Sequence, residues 1–277
     1  MMDSHPWLRR FSKITCLSTL ILIFVGGMVT STGSGLSVPD WPLSYGTFFP
    51  PMVGGVFYEH GHRVVASTVG FLTLILTIWL WHEEKRIWVR NLGFAALAAV
   101  ILQGILGGIT VLFFLPAPVS IGHAFLAQTF FLLTIIIAYS LSLERKSREN
   151  KQEIVNQALL KTTFILIITI YIQLILGAIM RHAKSGLAIP DFPKMGGYWW
   201  PPFNQEMLNH INHWRYEHDL NDVTMPQVIF HFLHRLSALI IFIVVCVLNA
   251  VGLKFDRDSI RKNIIWLDFI IIVQITL

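Results

Sequence analysis

Long apolar runs separated by polar stretches of uneven length organise the whole chain. Charge-poor runs lie at about 14–30, 64–81, 92–115, 119–141, 162–180, 228–252 and 263–277. Each except the last approaches the ~20 residues that a helix needs to cross the hydrocarbon core of a bilayer. Backbone inside lipid has no water to bond to, so such runs predict membrane helices. The last run stops at Ile275-Thr276-Leu277 without a polar flank. The sequence therefore reads as ending inside a helix, with a further helix expected beyond it.

Two of the runs open on ionisable clusters. Glu59-His60-Gly61-His62-Arg63 precedes the second run, and His231-Phe232-Leu233-His234-Arg235 opens a later one. On a helix, positions i and i+3 share a face, which pairs Glu59 with His62 and His231 with His234. Ionisable side chains at the head of a membrane helix are costly to bury and are candidates for a site. His60 points nearly opposite to His62 and is read as no ligand.

The two clusters belong to a tandem duplication. Residues 26–51 read GGMVTSTGSGLSVPDWPLSYGTFFPP and residues 177–202 read GAIMRHAKSGLAIPDFPKMGGYWWPP. At a constant offset of 151, Gly26 matches Gly177, Ser34-Gly35-Leu36 matches Ser185-Gly186-Leu187, Pro39-Asp40 matches Pro190-Asp191, and Pro50-Pro51 matches Pro201-Pro202. The offset between His62 and His234 is 172. Such self-similarity predicts two four-helix halves, parallel repeats about a pseudo-two-fold axis along the membrane normal. The charged segment 143–153 is read as the linker, giving halves at 1–150 and 151–277. The expected fold class is an all-α membrane protein of two tandem four-helix bundles, with the eighth helix lying beyond this chain. His123, near the head of the fourth run, would have its counterpart in that helix at about position 294–295.

Composition and charge sharpen the picture. The chain is 54% hydrophobic and 13% charged, far below the roughly 25% charged of soluble domains. The net charge of +5 follows topology rather than one patch, which argues against nucleic acid and for the lipid bilayer as a partner. With the amino terminus cytoplasmic, 15 of the 21 Lys and Arg residues fall on the inner side. That distribution obeys the positive-inside rule and predicts a multi-pass membrane protein with its amino terminus inside. Cys16 and Cys246 both lie in apolar runs and indicate no disulfide framework. The first apolar run, being part of the repeat, is read as a membrane helix rather than a cleavable signal.

His62 and His123 are the candidate metal ligands of the first half, and His234 that of the second. One neutral imidazole from each of two parallel helices is an arrangement that grips haem iron axially. Gly61, Gly122, Gly104, Gly107 and Gly108 would let a macrocycle or another helix approach. Arg63 and Arg235 would pair with carboxylates such as haem propionates or simply anchor helix heads. Glu59 has no counterpart, since position 231 is histidine; it would move protons or stabilise a developing cation, or cap the helix. His210, His213 and His218, in the long segment 181–226, match no tight metal-ligand spacing and read as solvated loop residues.

GGMVTSTGSGLSVPDWP, EHGHR, IGHAFLAQ around His123, SGLAIPDFP and HFLHRLSA together resemble the haem A synthase family, over residues 20–277. The resemblance implies eight membrane helices and oxidation of the C8 methyl group of haem O to the formyl group of haem A. Successive hydroxylations would give a gem-diol that loses water. It further implies that His62 and His123, with Arg63, hold the substrate haem, that Glu59 is catalytic, and that His234, with Arg235, serves a haem b (iron) cofactor. Haem O synthase and the cytochrome oxidase assembly machinery would be partners, and a homo-oligomer is compatible with the reading. Where some members carry a loop cysteine pair, this chain has Ser37 and Ser44. A bis-histidine di-haem electron carrier and a haem-delivery or assembly protein without turnover remain as alternatives at this stage.

Overall fold

The computed structural model describes residues 5–145, 156–254 and 258–276. The charged linker expected at 143–153 therefore lies, beyond residue 145, outside the described residues. Two compact units divide the chain at Met1–Gln152 and Glu153–Leu277. Among the described residues all long elements are helices, and β-structure is limited to isolated bridges, Ser44 with Thr47 and Met195 with Tyr198. The protein is an all-α membrane protein.

The first unit contains α1 (Pro6–Ser31), α2 (Gly55–Glu83), α3 (Ile87–Leu112) and α4 (Ala117–Ser140). Helix α1 packs on α2, α2 on α3, α3 on α4 and α4 back on α1, so α2 and α4 stand on a diagonal of a closed bundle. Leu8, Val69, Leu76, Leu80, Val89, Ala96, Phe130 and Ile137 form its core. Lipid supplies no hydrophobic drive between helices, so close approach and polar contacts matter more here than in a soluble bundle. Thr77 illustrates both: its hydroxyl donates to Thr73 O on its own helix and to Gly93 O on α3, at 2.8 and 3.0 Å. A Cβ on Gly93 would stand 3.0 Å from Leu80 Cδ1, so the glycine keeps that crossing tight.

The second unit contains α5 (Gln157–His182), α6 (Gln205–Glu217), α7 (Met225–Gly252) and α8 (Asp258–Thr276). Helix α5 packs on α7 and α7 on α8, where Asn249 Nδ2 donates to both oxygens of Asp268 at 3.0 and 3.1 Å. Helices α1 to α5 and α7 are long and apolar enough to cross a membrane. The seventh apolar run falls within α8, which is not among those six.

Two sequence expectations are revised. The polar clusters do not sit at helix heads: α2 begins at Gly55 and α7 at Met225, so His62 and His234 lie more than a turn inside. The apolar count underestimates these helices because their polar turns find partners in the loop that precedes each. The segment 181–226 is also not all loop. Asn204 caps α6 through Met207 N–H, and Met207 and Ile211 are buried against Ala188, Ile189, Val223, Val228 and Phe232. Arg215 stays buried because Leu187 O and Asn221 O accept from its guanidinium at 2.5 and 2.7 Å. An amphipathic 13-residue helix escapes a reading tuned to membrane-length runs.

Candidate haem sites

His62 on α2 and His123 on α4 come from the diagonal pair of the first bundle. Each ring lies over a glycine of a different neighbouring helix. A Cβ on Gly26 of α1 would stand 3.0 Å from His62 Cε1, and one on Gly107 of α3 would stand 3.6 Å from His123 Cε1. Both Nδ1 atoms are buried without a partner among the described residues. Buried polar atoms are nearly always satisfied, so two imidazoles that each leave a buried nitrogen unpartnered in one bundle fit a site for a further group. Imidazole nitrogen suits iron, and the residues therefore fit a haem. Gly104, Gly61 and Gly122 face open space, whereas Gly108 admits the Trp41 ring, 2.8 Å from where its Cβ would be.

In the second unit His234 has the same relation to Gly177, whose Cβ would stand 3.2 Å from His234 Cε1. Its Nδ1 is likewise buried and unpartnered, while its Nε2 lies 3.2 Å from Gln173 Nε2 on α5. Gly26 and Gly177 escaped the sequence reading as site residues, although the repeat had already matched them to each other.

Glu59 is 4% exposed and fully engaged. Its Oε2 accepts from Val38 N–H at 2.8 Å and its Oε1 from Arg63 Nη2 at 2.6 Å. Arg63 also donates to the carbonyls of Val38, Asp40 and Leu43, at 3.4, 2.7 and 2.7 Å. The second unit repeats this with histidine in place of the carboxylate. Ile189 N–H donates to His231 Nδ1 at 3.0 Å, and Arg235 donates to the carbonyls of Ile189, Asp191 and Lys194 at 3.0, 2.7 and 3.5 Å. Both arginines, read as partners of haem carboxylates or as anchors, donate to carbonyls of the preceding loop. His60, set aside as a ligand, pairs through Nδ1 with Ser44 Oγ at 2.8 Å.

The loops are internally tied by the matched aspartates. Asp40 accepts from Tyr45 N–H and Gly46 N–H at 2.7 and 2.8 Å, and Asp191 from Gly196 N–H and Gly197 N–H at 2.6 and 2.8 Å. Tyr45, Gly46, Gly196 and Gly197 all have positive φ, a conformation that glycine adopts without steric cost. The Gly46 N–H, with that of Tyr45, holds the Asp40 carboxyl below its usual range against the opposing effect of desolvation. A carboxylate with a depressed pKa favours the ordered loop above the unfolded value of about 3.9, and this contribution fades as pH falls through the lower folded value. Hydrogen exchange should accordingly show Tyr45 and Gly46 amides protected at pH 7, with the extra protection lost in Asp40→Asn and, in the wild type, only under acid conditions.

His210 and His213 lie on α6 and His218 caps its end, stacked on Trp214. Among the described residues no group of three or more His, Cys, Asp or Glu side chains is placed to hold a metal ion.

Residues 9–55 and 53–277 match the model of the COX15-CtaA family, described as cytochrome oxidase assembly protein. The chain is 30% identical over 201 residues to the haem A synthase of Alkalihalophilus pseudofirmus, covering 71% of this chain and 67% of that protein. It is 28% identical over 261 residues to that of Shouchella clausii, covering 92% and 79%, and 27% identical over 280 residues to that of Bacillus cereus, covering 98% and 82%. The duplicated loop, the histidines over their glycines and these similarities converge: the chain belongs to the haem A synthase family of cytochrome oxidase assembly proteins.

Proposed function

We propose that the protein is a haem A synthase, a membrane oxidoreductase that converts the C8 methyl group of haem O into the formyl group of haem A. The observation that carries this reading is the pair of buried imidazoles, His62 and His123, each with an unpartnered Nδ1 and each lying over a glycine, Gly26 or Gly107, within one bundle that also holds the Glu59 carboxylate. In this reading the two histidines bind the iron of the substrate haem and orient its methyl edge. Glu59, one turn from His62, supplies fixed negative charge. Methyl-to-formyl conversion is a four-electron oxidation, and such charge would stabilise positive charge developing at the methyl carbon as electrons leave it. Arg63 and Arg235 act on the haem sites through the loops they hold.

His234 would be one ligand of a haem b cofactor, which supplies one-electron chemistry when bound. The bundles would place both sites toward the outer face of a bacterial plasma membrane, with the amino terminus cytoplasmic, following the distribution of Lys and Arg. Haem O synthase would deliver the substrate, and cytochrome oxidase assembly would consume the product.

The test is mass analysis of haems extracted from membranes in which the protein is co-expressed with a haem O synthase. Haem A, or a hydroxylated precursor, should appear with the wild type and fall to background in His62→Ala. Recovery of only haem b and unmodified haem O from well-folded protein under air would overturn the assignment.

A further inference from the structure

Positions 59 and 231 do the same mechanical work with different charge. Each sits four residues before the loop-holding arginine of its own unit, and each accepts the same backbone N–H of its loop, that of Val38 or of Ile189. The arginine also lies against each, Arg63 Nη2 donating to Glu59 at 2.6 Å in the first unit and Arg235 Nε standing 3.2 Å from His231 Nε2 in the second. A carboxylate has lone pairs for both donors. A neutral imidazole has one lone pair and an imidazolium has none. His231 therefore accepts from only one of Ile189 N–H and Arg235 Nε, and it cannot be protonated while it does so.

The charges around each latch differ accordingly. Around the first stand Arg63, Glu59 and Asp40, and around the second Arg235 and Asp191, with neutral His231 in place of the glutamate. Arg215 is also buried in the second unit, bound to Leu187 O and Asn221 O, while Lys184 and Lys194 are exposed. The latch itself is thus one negative charge richer in the first unit, three residues from His62. Negative charge beside a metal centre stabilises its oxidised form, and the effect is strong where water is excluded.

We infer that residues 59 and 231 are one structural latch built with two charges, and that the carboxylate version holds a haem bound at His62 at a lower reduction potential than an imidazole there would. The inference rests on the reading that His62 and His234 hold haem. It makes Glu59 an electrostatic tuner of the substrate site and gives His231, which no ligand role explains, the matching place in the second.

The experiment is spectroelectrochemical titration of protein purified with bound haem b, in nanodiscs, without haem O synthase. Wild type is compared with Glu59→Gln, which keeps an acceptor for Val38 N–H but removes the charge, and with the exchanges Glu59→His and His231→Glu. The midpoint of the His62 haem should rise in both Glu59 variants, and that of the His234 haem should fall in His231→Glu, with the other haem moving less in each case. Unmoved midpoints, or shifts of the opposite sign, would overturn the inference. So would loss of haem from all three variants, since interchangeable latches must support binding. A wild type that binds no haem would instead refute the proposed function, and haem-loaded wild type that forms no haem A would leave this inference standing.

Discussion

Arg63→Ala is expected to cost the first unit about 3–5 kcal/mol, the range for removing one partner of a buried ion pair. Two losses combine. The Glu59 carboxylate, 5% exposed along its side chain, would keep only the Val38 N–H as a partner. The carbonyls of Val38, Asp40 and Leu43 would lose the guanidinium that gathers them. The loop should then detach from α2, and because Arg63 is adjacent to His62, ring placement should suffer with it. Arg63→Lys should fall between, since an ammonium cannot reproduce the planar fork that reaches several acceptors at once. Denaturant or thermal unfolding of detergent-solubilised protein measures the cost, and limited proteolysis within residues 37–54 reports the loop. An Arg63→Ala protein as stable as wild type, with a protease-resistant loop, would show that the bonds seen here contribute little.

Gly26→Val should empty the first haem site while leaving the bundle folded. A Cβ at position 26 already stands 3.0 Å from His62 Cε1, and valine adds two methyl groups at that point. Overpacking typically costs about 1–3 kcal/mol, which corresponds to about 5–150-fold in affinity if it falls on the bound geometry. Gly177→Val should do the same to the His234 site, where the corresponding gap is 3.2 Å. Haem-to-protein ratio and pyridine haemochrome spectra would measure both. The specificity of the result matters more than its size: each variant should affect the site of its own unit. Gly27→Val is the control, since nothing lies within 4 Å of its Cβ position. Equal loss in Gly26→Val and Gly27→Val would mean that the valine perturbs α1 generally rather than the ring.

Much of this was legible in the chain itself. Long apolar runs cannot cover their backbone in lipid except as helices, so membrane helices follow from periodicity and length alone. The offset of 151 between the two loops fixed which residues are equivalent. Histidines at matching positions marked where chemistry would lie. The same reasoning misplaced the helix starts and overlooked α6, because polar turns and a short amphipathic helix are silent in a hydropathy reading. The sequence leaves the arginines open between haem carboxylates and anchoring of the helices, and the structure gives Arg63 carbonyl partners 20 to 25 residues earlier in the chain.

By itself, then, the sequence determined the all-helical membrane class, the duplication and the identity of the unusual side chains, since these depend on local apolar content and on residue type. Only the tertiary structure decided that Gly26 and Gly177 make room for the histidines, that both rings of the first bundle leave a buried nitrogen unpartnered, and that Glu59 and His231 each grip the equivalent amide of their own loop. Those facts depend on which atoms of distant segments meet. Contact of that kind is set by packing and by the need to satisfy buried polar groups across the fold.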